Sequence, residues 1–162
     1  MYVSFDQLSD EARIWVYQAS RPLQEKEQVM ILQKTQVFLE TWASHGNPLQ
    51  CSVSIYYDQL LILAVEEKFQ NATGCAIDAS THFIRELEQD FQIALLDRTR
   101  IAFRHDQTNS LVPLDQLKAA IQQGTILADM LTFDNTITRK KALTDGWLVR
   151  AGDAWFGKYF DK

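Results

Sequence analysis

Cysteine is scarce in this chain. Cys51 and Cys75 are the only two among 162 residues. Two widely spaced thiols do not make a disulfide framework, so the fold has to rest on its core. Long apolar runs are also missing. The longest, Leu60 to Val65, is six residues, far short of the roughly 20 needed to cross a bilayer. Met1-Tyr2-Val3-Ser4-Phe5-Asp6 has no basic stretch ahead of an apolar one, so no signal peptide is expected. These absences point to a soluble, cytoplasmic, reducing setting with no membrane partner. Positive charge is not in excess either. The net charge is −5 and the pI about 5.1. Residues 1–104 hold fourteen acidic and nine basic side chains, and residues 105–162 hold seven of each. No cationic domain hides behind the total, which argues against a general nucleic-acid binder. No low-complexity segment or internal repeat is present.

What remains is an ordered globular composition, 46% hydrophobic and 11% aromatic. The length suits one domain, or a domain with an appended subdomain, and suffices for a sizeable core. Arg13 to Gln18 is rich in aromatic and β-branched residues and predicts a strand. A helix is expected from about Leu23 to Ser44, with Ile31, Leu32, Thr35, Phe38, Leu39 and Trp42 as its stripe. Glu25 and Glu27 suit its first turn. His45-Gly46-Asn47-Pro48 predicts its stop. Cys51 to Tyr57 alternates small polar with apolar residues, the period of a half-buried strand. After a turn near Asp58-Gln59, Leu60 to Val65 is apolar on both faces and predicts a central strand. A second helix is expected over about Ile77 to Gln92, capped by Asp78 or Ser80. Arg98 to Arg104 predicts a strand with Arg98, Arg100 and Arg104 on one face.

The resulting order predicts a ferredoxin-like βαββαβ domain over residues 1–104, an α+β sheet with two helices on one face. Residues 105–162 read as a dependent α+β extension. It holds a polar loop at 105–109, a helix from Leu114 to Gln122 stopped by Gly124, a strand from Thr125 to Phe133, and a short strand at Thr136 to Thr138. The aromatic tail, Trp147, Trp155, Phe156, Tyr159 and Phe160, cannot all be solvated. It is expected to pack back on the first domain, unless a second subunit provides the cover.

Chemistry-bearing residues are few. Cys75 sits beside Gly74, just ahead of the expected helix start, where backbone N–H groups lower a thiol pKa. Asp78 nearby would oppose a thiolate. His82 is two helical turns away, outside hydrogen-bond reach. Cys75 therefore reads either as an activated thiol or as a small residue enclosed near a tight turn. The candidates His45, Cys51, Cys75, His82 and His105 show no metal-ligand spacing, so no metal and no cofactor are expected. Gly152 to Tyr159 mimics a phosphate-loop string, G-x-x-x-x-G-K. Only three residues follow, too few for the helix such a loop needs. Arg13, Trp15 and Tyr17, with Arg98 and Arg100, would share a sheet face in the expected fold and form a candidate ligand or RNA surface.

Trp15-Val16-Tyr17-Gln18-Ala19 with Arg21-Pro22-Leu23, the set Phe38-Leu39, Trp42 and His45-Gly46, then Gly74-Cys75, Ile77-Asp78 and Ser80, and Asp97-Arg98-Thr99 resemble a family of uncharacterised bacterial proteins. Some of its members carry the label ABC transporter ATPase. This chain lacks a usable phosphate loop, a Walker B strand and the length of a nucleotide-binding domain, so the resemblance implies no activity. Pro113-Leu114, Leu117, Ile121, Gly124 and Ile126 resemble the helix-then-strand piece of GYF-type peptide-binding modules. The Gly-Tyr-Phe patch of those modules is absent, and no ligand-binding residue carries over. The expectation is a non-catalytic interaction or small-ligand-binding protein, with a homodimer or another protein as partner. Its rivals are thiol chemistry at Cys75 and RNA binding on the sheet face.

Overall fold

The computed structural model describes residues 1–161. Their elements run β1 (Arg13–Gln18), α1 (Glu25–Thr41), β2 (Ala43–Ser44), β3 (Asn47–Pro48), β4 (Cys51–Tyr56), β5 (Leu60–Val65), α2 (Gly74–Phe91), β6 (Arg100–His105), β7 (Thr108–Pro113), α3 (Leu117–Gln122), β8 (Leu131–Phe133) and β9 (Leu148–Arg150). The fold is mixed α+β with antiparallel sheets. Two compact units divide it. The first comprises Met1–Leu96 and Thr136–Ala142, the second Asp97–Asn135 and the residues from Leu143 onward.

In the first unit three strands pair in the order β1-β5-β4. β5 is central and all six of its residues are buried, as a run apolar on both faces requires. Leu63 lies between Trp15 and Val53, and Leu61 between Tyr17 and Ile55. Those residues share one face, and both long helices cover it with Ile31, Leu39, Phe83, Ile84 and Leu87. Each such buried side chain contributes about 2 kcal/mol of transfer free energy. Ile14, Val16, Ile62 and Ala64 point to the opposite face and are buried too. β4 is therefore more enclosed than its alternation predicts. Cys51, Ser52 and Val53 are all buried, and the Ser52 hydroxyl has no hydrogen-bond partner among the described residues.

The four-stranded sheet expected over residues 1–104 does not form from those strands. The strand predicted at Arg98–Arg104 is β6, and it joins the sheet of the second unit. The free edge of β1 is met instead by Thr136–Ala142. Ile14 N–H donates to the Thr138 carbonyl (3.0 Å), Lys140 N–H donates to the Ala12 carbonyl (2.9 Å), and Arg139 bridges Arg13 antiparallel. Strand pairing is decided by which edge is available, and no local pattern records that.

Helix ends also shift. α1 stops at Thr41, ahead of the His45-Gly46 signal. Those two residues, at φ 51° and 78°, instead turn the β2–β3 hairpin. Consecutive left-handed residues match the twist of paired strands. Tyr57-Asp58 and Asp106-Gln107 turn β4 into β5 and β6 into β7 in the same way. The 105–109 segment expected as a loop is thus mostly hairpin.

The second unit pairs its strands in the order β7-β6-β8-β9. Phe103, Leu117, Ile121, Ile126, Ala151 and Phe156 form its core. The strand expected at Thr125–Phe133 is reduced to Leu131–Phe133. The helix expected from Leu114 begins as a 3-10 turn and becomes α3 at Leu117. Trp147 is buried against Phe133, and its Nε1–H donates to Asn135 Oδ1 (2.9 Å).

Candidate functional site

α2 begins three residues earlier than its sequence suggests. Thr73, in extended geometry, is the N-cap, and its Oγ1 accepts from Ala76 N–H (3.4 Å). Thr73 is itself held by Ser44, whose hydroxyl donates to Thr73 Oγ1 (3.0 Å). Ala76 is buried, and its carbonyl accepts from Trp42 Nε1–H (2.8 Å). These contacts draw the Gly74–Ala76 turn into the helix, and neither Asp78 nor Ser80 serves as cap. Ser80 instead donates to the Ile77 carbonyl (2.7 Å).

Cys75 therefore lies within the first turn of α2 and is exposed, as is Asp78. Cys51 is the opposite case. It is buried beneath the helices, and burial pushes its thiol up to about 11. His82 is exposed on α2 and faces Glu86 (3.7 Å). His45 sits at a hairpin tip, and His105 lies in the second unit beside Asp106 (3.2 Å). No group of three metal-ligating side chains occurs among the described residues.

The candidate arginines and aromatics do not share one sheet. Trp15 and Tyr17 point under the helices, where Trp15 packs edge-on against Trp42 at 6.1 Å and Tyr17 is buried. Arg13 lies over the Trp15 ring (4.7 Å) and pairs with Glu67 (3.4 Å). Arg98 and Arg100 are exposed in the second unit, with Arg100 near Asp97 (3.9 Å). The period-2 rule put the three β1 residues on one face correctly. It could not say that this face is the one the helices cover.

The phosphate-loop string has a packing explanation. Gly157 rests on the Gly152 backbone, and a Cβ at position 157 would come within 2.1 Å of the Gly152 carbonyl oxygen. The two glycines permit a close approach of backbone to backbone, with Phe156 buried between them in sequence.

The face that sequence reasoning missed belongs to α1. Ile31, Thr35 and Leu39 are its buried stripe. On the other side Val29, Met30 and Val37 are 50%, 57% and 72% exposed. Lys26, Gln33 and Glu40 share that side and are exposed. The signal was present as apolar residues lying off the stripe. Other large exposed apolar residues, such as Phe69, Leu127 and Trp155, occur on separate loops and turns. The entry into α1 is fixed from both directions. Glu27 accepts from Gln24 N–H (2.9 Å) and from both terminal nitrogens of Arg21 (2.9 and 2.7 Å). The Arg21 guanidinium and that N–H pull the Glu27 carboxyl down to about 2.

Comparison with protein-family models, with curated proteins and with solved structures finds no match.

Proposed function

We propose that this chain is a non-catalytic interaction protein that docks a partner protein on the outer face of α1. The observation that carries this reading is the exposure of Val29, Met30 and Val37 on one side of a single helix. A solvated helix face is ordinarily polar, and clustered exposed apolar residues mark contact surfaces. Covering these three side chains would contribute about 1–2 kcal/mol each. Rigidity supports the reading as well, because the helix is pinned at its start by Arg21 and Glu27 and packed along its inner stripe. A preformed surface loses little entropy on binding.

The order β1-β5-β4 is that of the first, third and second strands of a βαββαβ unit, with two helices on one face. This supports a ferredoxin-like arrangement of the first unit, with Thr136–Ala142 along the β1 edge that a fourth strand of such a unit would take.

A photo-crosslinking residue at Gln33 tests the docking reading in living cells. The expected result is an adduct of defined mass, identified by mass spectrometry. The same probe at Arg85, on the outward side of α2, should give none. Equal labelling at both positions, or labelling at neither, removes the proposal.

Thiol chemistry keeps one observation in its favour, the exposure of Cys75 in a helical first turn. Alkylation rate against pH, compared with Cys75→Ser, separates the two readings. A rate that rises only near the ordinary thiol pKa of about 8.5 leaves Cys75 without a role.

A further inference from the structure

We infer that the occupant of the α1 face is a second copy of this chain, packed antiparallel about a two-fold axis through Gln33. The inference rests on the reading that this face docks a protein, and it specifies which one. Lys26, Met30, Gln33, Val37 and Glu40 recur at alternating spacings of four and three residues along the exposed side. That is the repeat of a helix-pairing seam. The seam is also symmetric about its centre. Lys26 and Glu40 each lie seven residues from Gln33, and Val29 and Val37 each lie four from it.

Two antiparallel copies centred on Gln33 therefore set Lys26 against Glu40 at both ends. Val29 meets Val37 twice, and Gln33 meets Gln33 on the axis. Such an isologous contact uses one patch for both partners. In the parallel alternative Lys26 would face Lys26 and Glu40 would face Glu40, so charge selects the antiparallel form. Both end groups are exposed. Among the described residues Glu40 Oε2 accepts a long bond from Tyr2 N–H (3.4 Å) and forms no ion pair, and the side chain is exposed. A polar pair of Gln33 amides at the crossing would fix register, as buried polar residues do in helical dimers. The end charges lie about 21 Å apart along the axis. One helix face of that length is at the small end of stable interfaces, so the dimer is concentration-dependent.

The full chain, with Cys75→Ser in the background, is examined by sedimentation velocity from about 1 to about 500 µM, the range of weak self-association. A monomer–dimer equilibrium is expected. Lys26→Glu or Glu40→Lys alone should weaken it about tenfold, because each dimer holds two such contacts. The double exchange should restore it. Gln33→Cys should give a disulfide-linked dimer on mild oxidation. Circular dichroism of each variant should match the parent, since all three positions are exposed. A monomer at every concentration overturns the inference, as does a dimer indifferent to the single exchanges or not rescued by the double one. If the protein stays monomeric while the Gln33 crosslinker captures a different protein, self-association fails and the docking reading stands. If nothing is captured either, both fail.

Discussion

α1 and α2 lie on the same sheet face, yet they treat water differently. α2 spends its large apolar residues inward, on Phe83, Ile84 and Leu87. Its outward side carries Asp78, His82, Arg85, Glu86 and Asp90, all exposed. α1 buries Ile31 and Leu39 just as completely, and then leaves Val29, Met30 and Val37 in solvent. Both helices satisfy the demands of the fold with one stripe. Only α1 carries apolar surface beyond those demands, and that surplus requires an explanation outside the fold.

The largest effects are expected on the inner stripes. Leu39→Ala and Leu87→Ala remove fully buried side chains and should each cost about 3 kcal/mol in denaturant unfolding. Val37→Ala, on the outer side, should stay within about 0.5 kcal/mol. A large loss at Val37 would mean that this side is part of the core after all. The helix starts come next. Thr73→Ala removes the α2 cap and a partner of Ser44, and should cost about 1–2 kcal/mol, with faster amide exchange in the first turn of α2. Unchanged exchange would show that the cap is idle.

A smaller effect separates the helices by pH. Glu27 is lowered from 4.5 to about 2 in the folded protein. A depressed carboxyl pKa stabilises above the unfolded value and is lost as pH falls through the folded one. Stability should decline between about pH 4.5 and pH 2, less so in Glu27→Gln, and fraying should begin at α1 rather than α2. The same slope in both proteins sinks that assignment. Smallest is the thiol contrast. Cys75→Ser should leave stability within about 0.5 kcal/mol. In the wild type Cys75 should alkylate in the native state, whereas Cys51 should react only on unfolding. Native labelling of Cys51 would contradict its burial.

Much of the first unit was legible in its pattern. β5 could be read because a strand covered on both faces needs apolar residues at every position, and Leu60–Val65 has them. The inner stripe of α1 could be read because Ile31, Thr35 and Leu39 recur at helical spacing. The second unit was less legible. β7 and β9 were missed because Thr-Asn-Ser and a three-residue Leu-Val-Arg carry little periodicity. β6 was recognised as a strand, and its sheet was not, because partners for Arg100–His105 lie in segments that no local rule links to it. The candidate site followed the same division. Trp15 and Tyr17 were correctly placed on one side of β1, and whether that side met water or helices was invisible.

Residue order alone determined the positions of most elements and which side chains share a face, since backbone periodicity is a local property. The packing of those elements decided the rest: which sheet received β6, which side of β1 was covered, and which apolar residues of α1 stayed wet. Burial depends on what arrives from elsewhere in the chain, and a helix cannot specify by its own sequence how much of its surface its neighbours will reach.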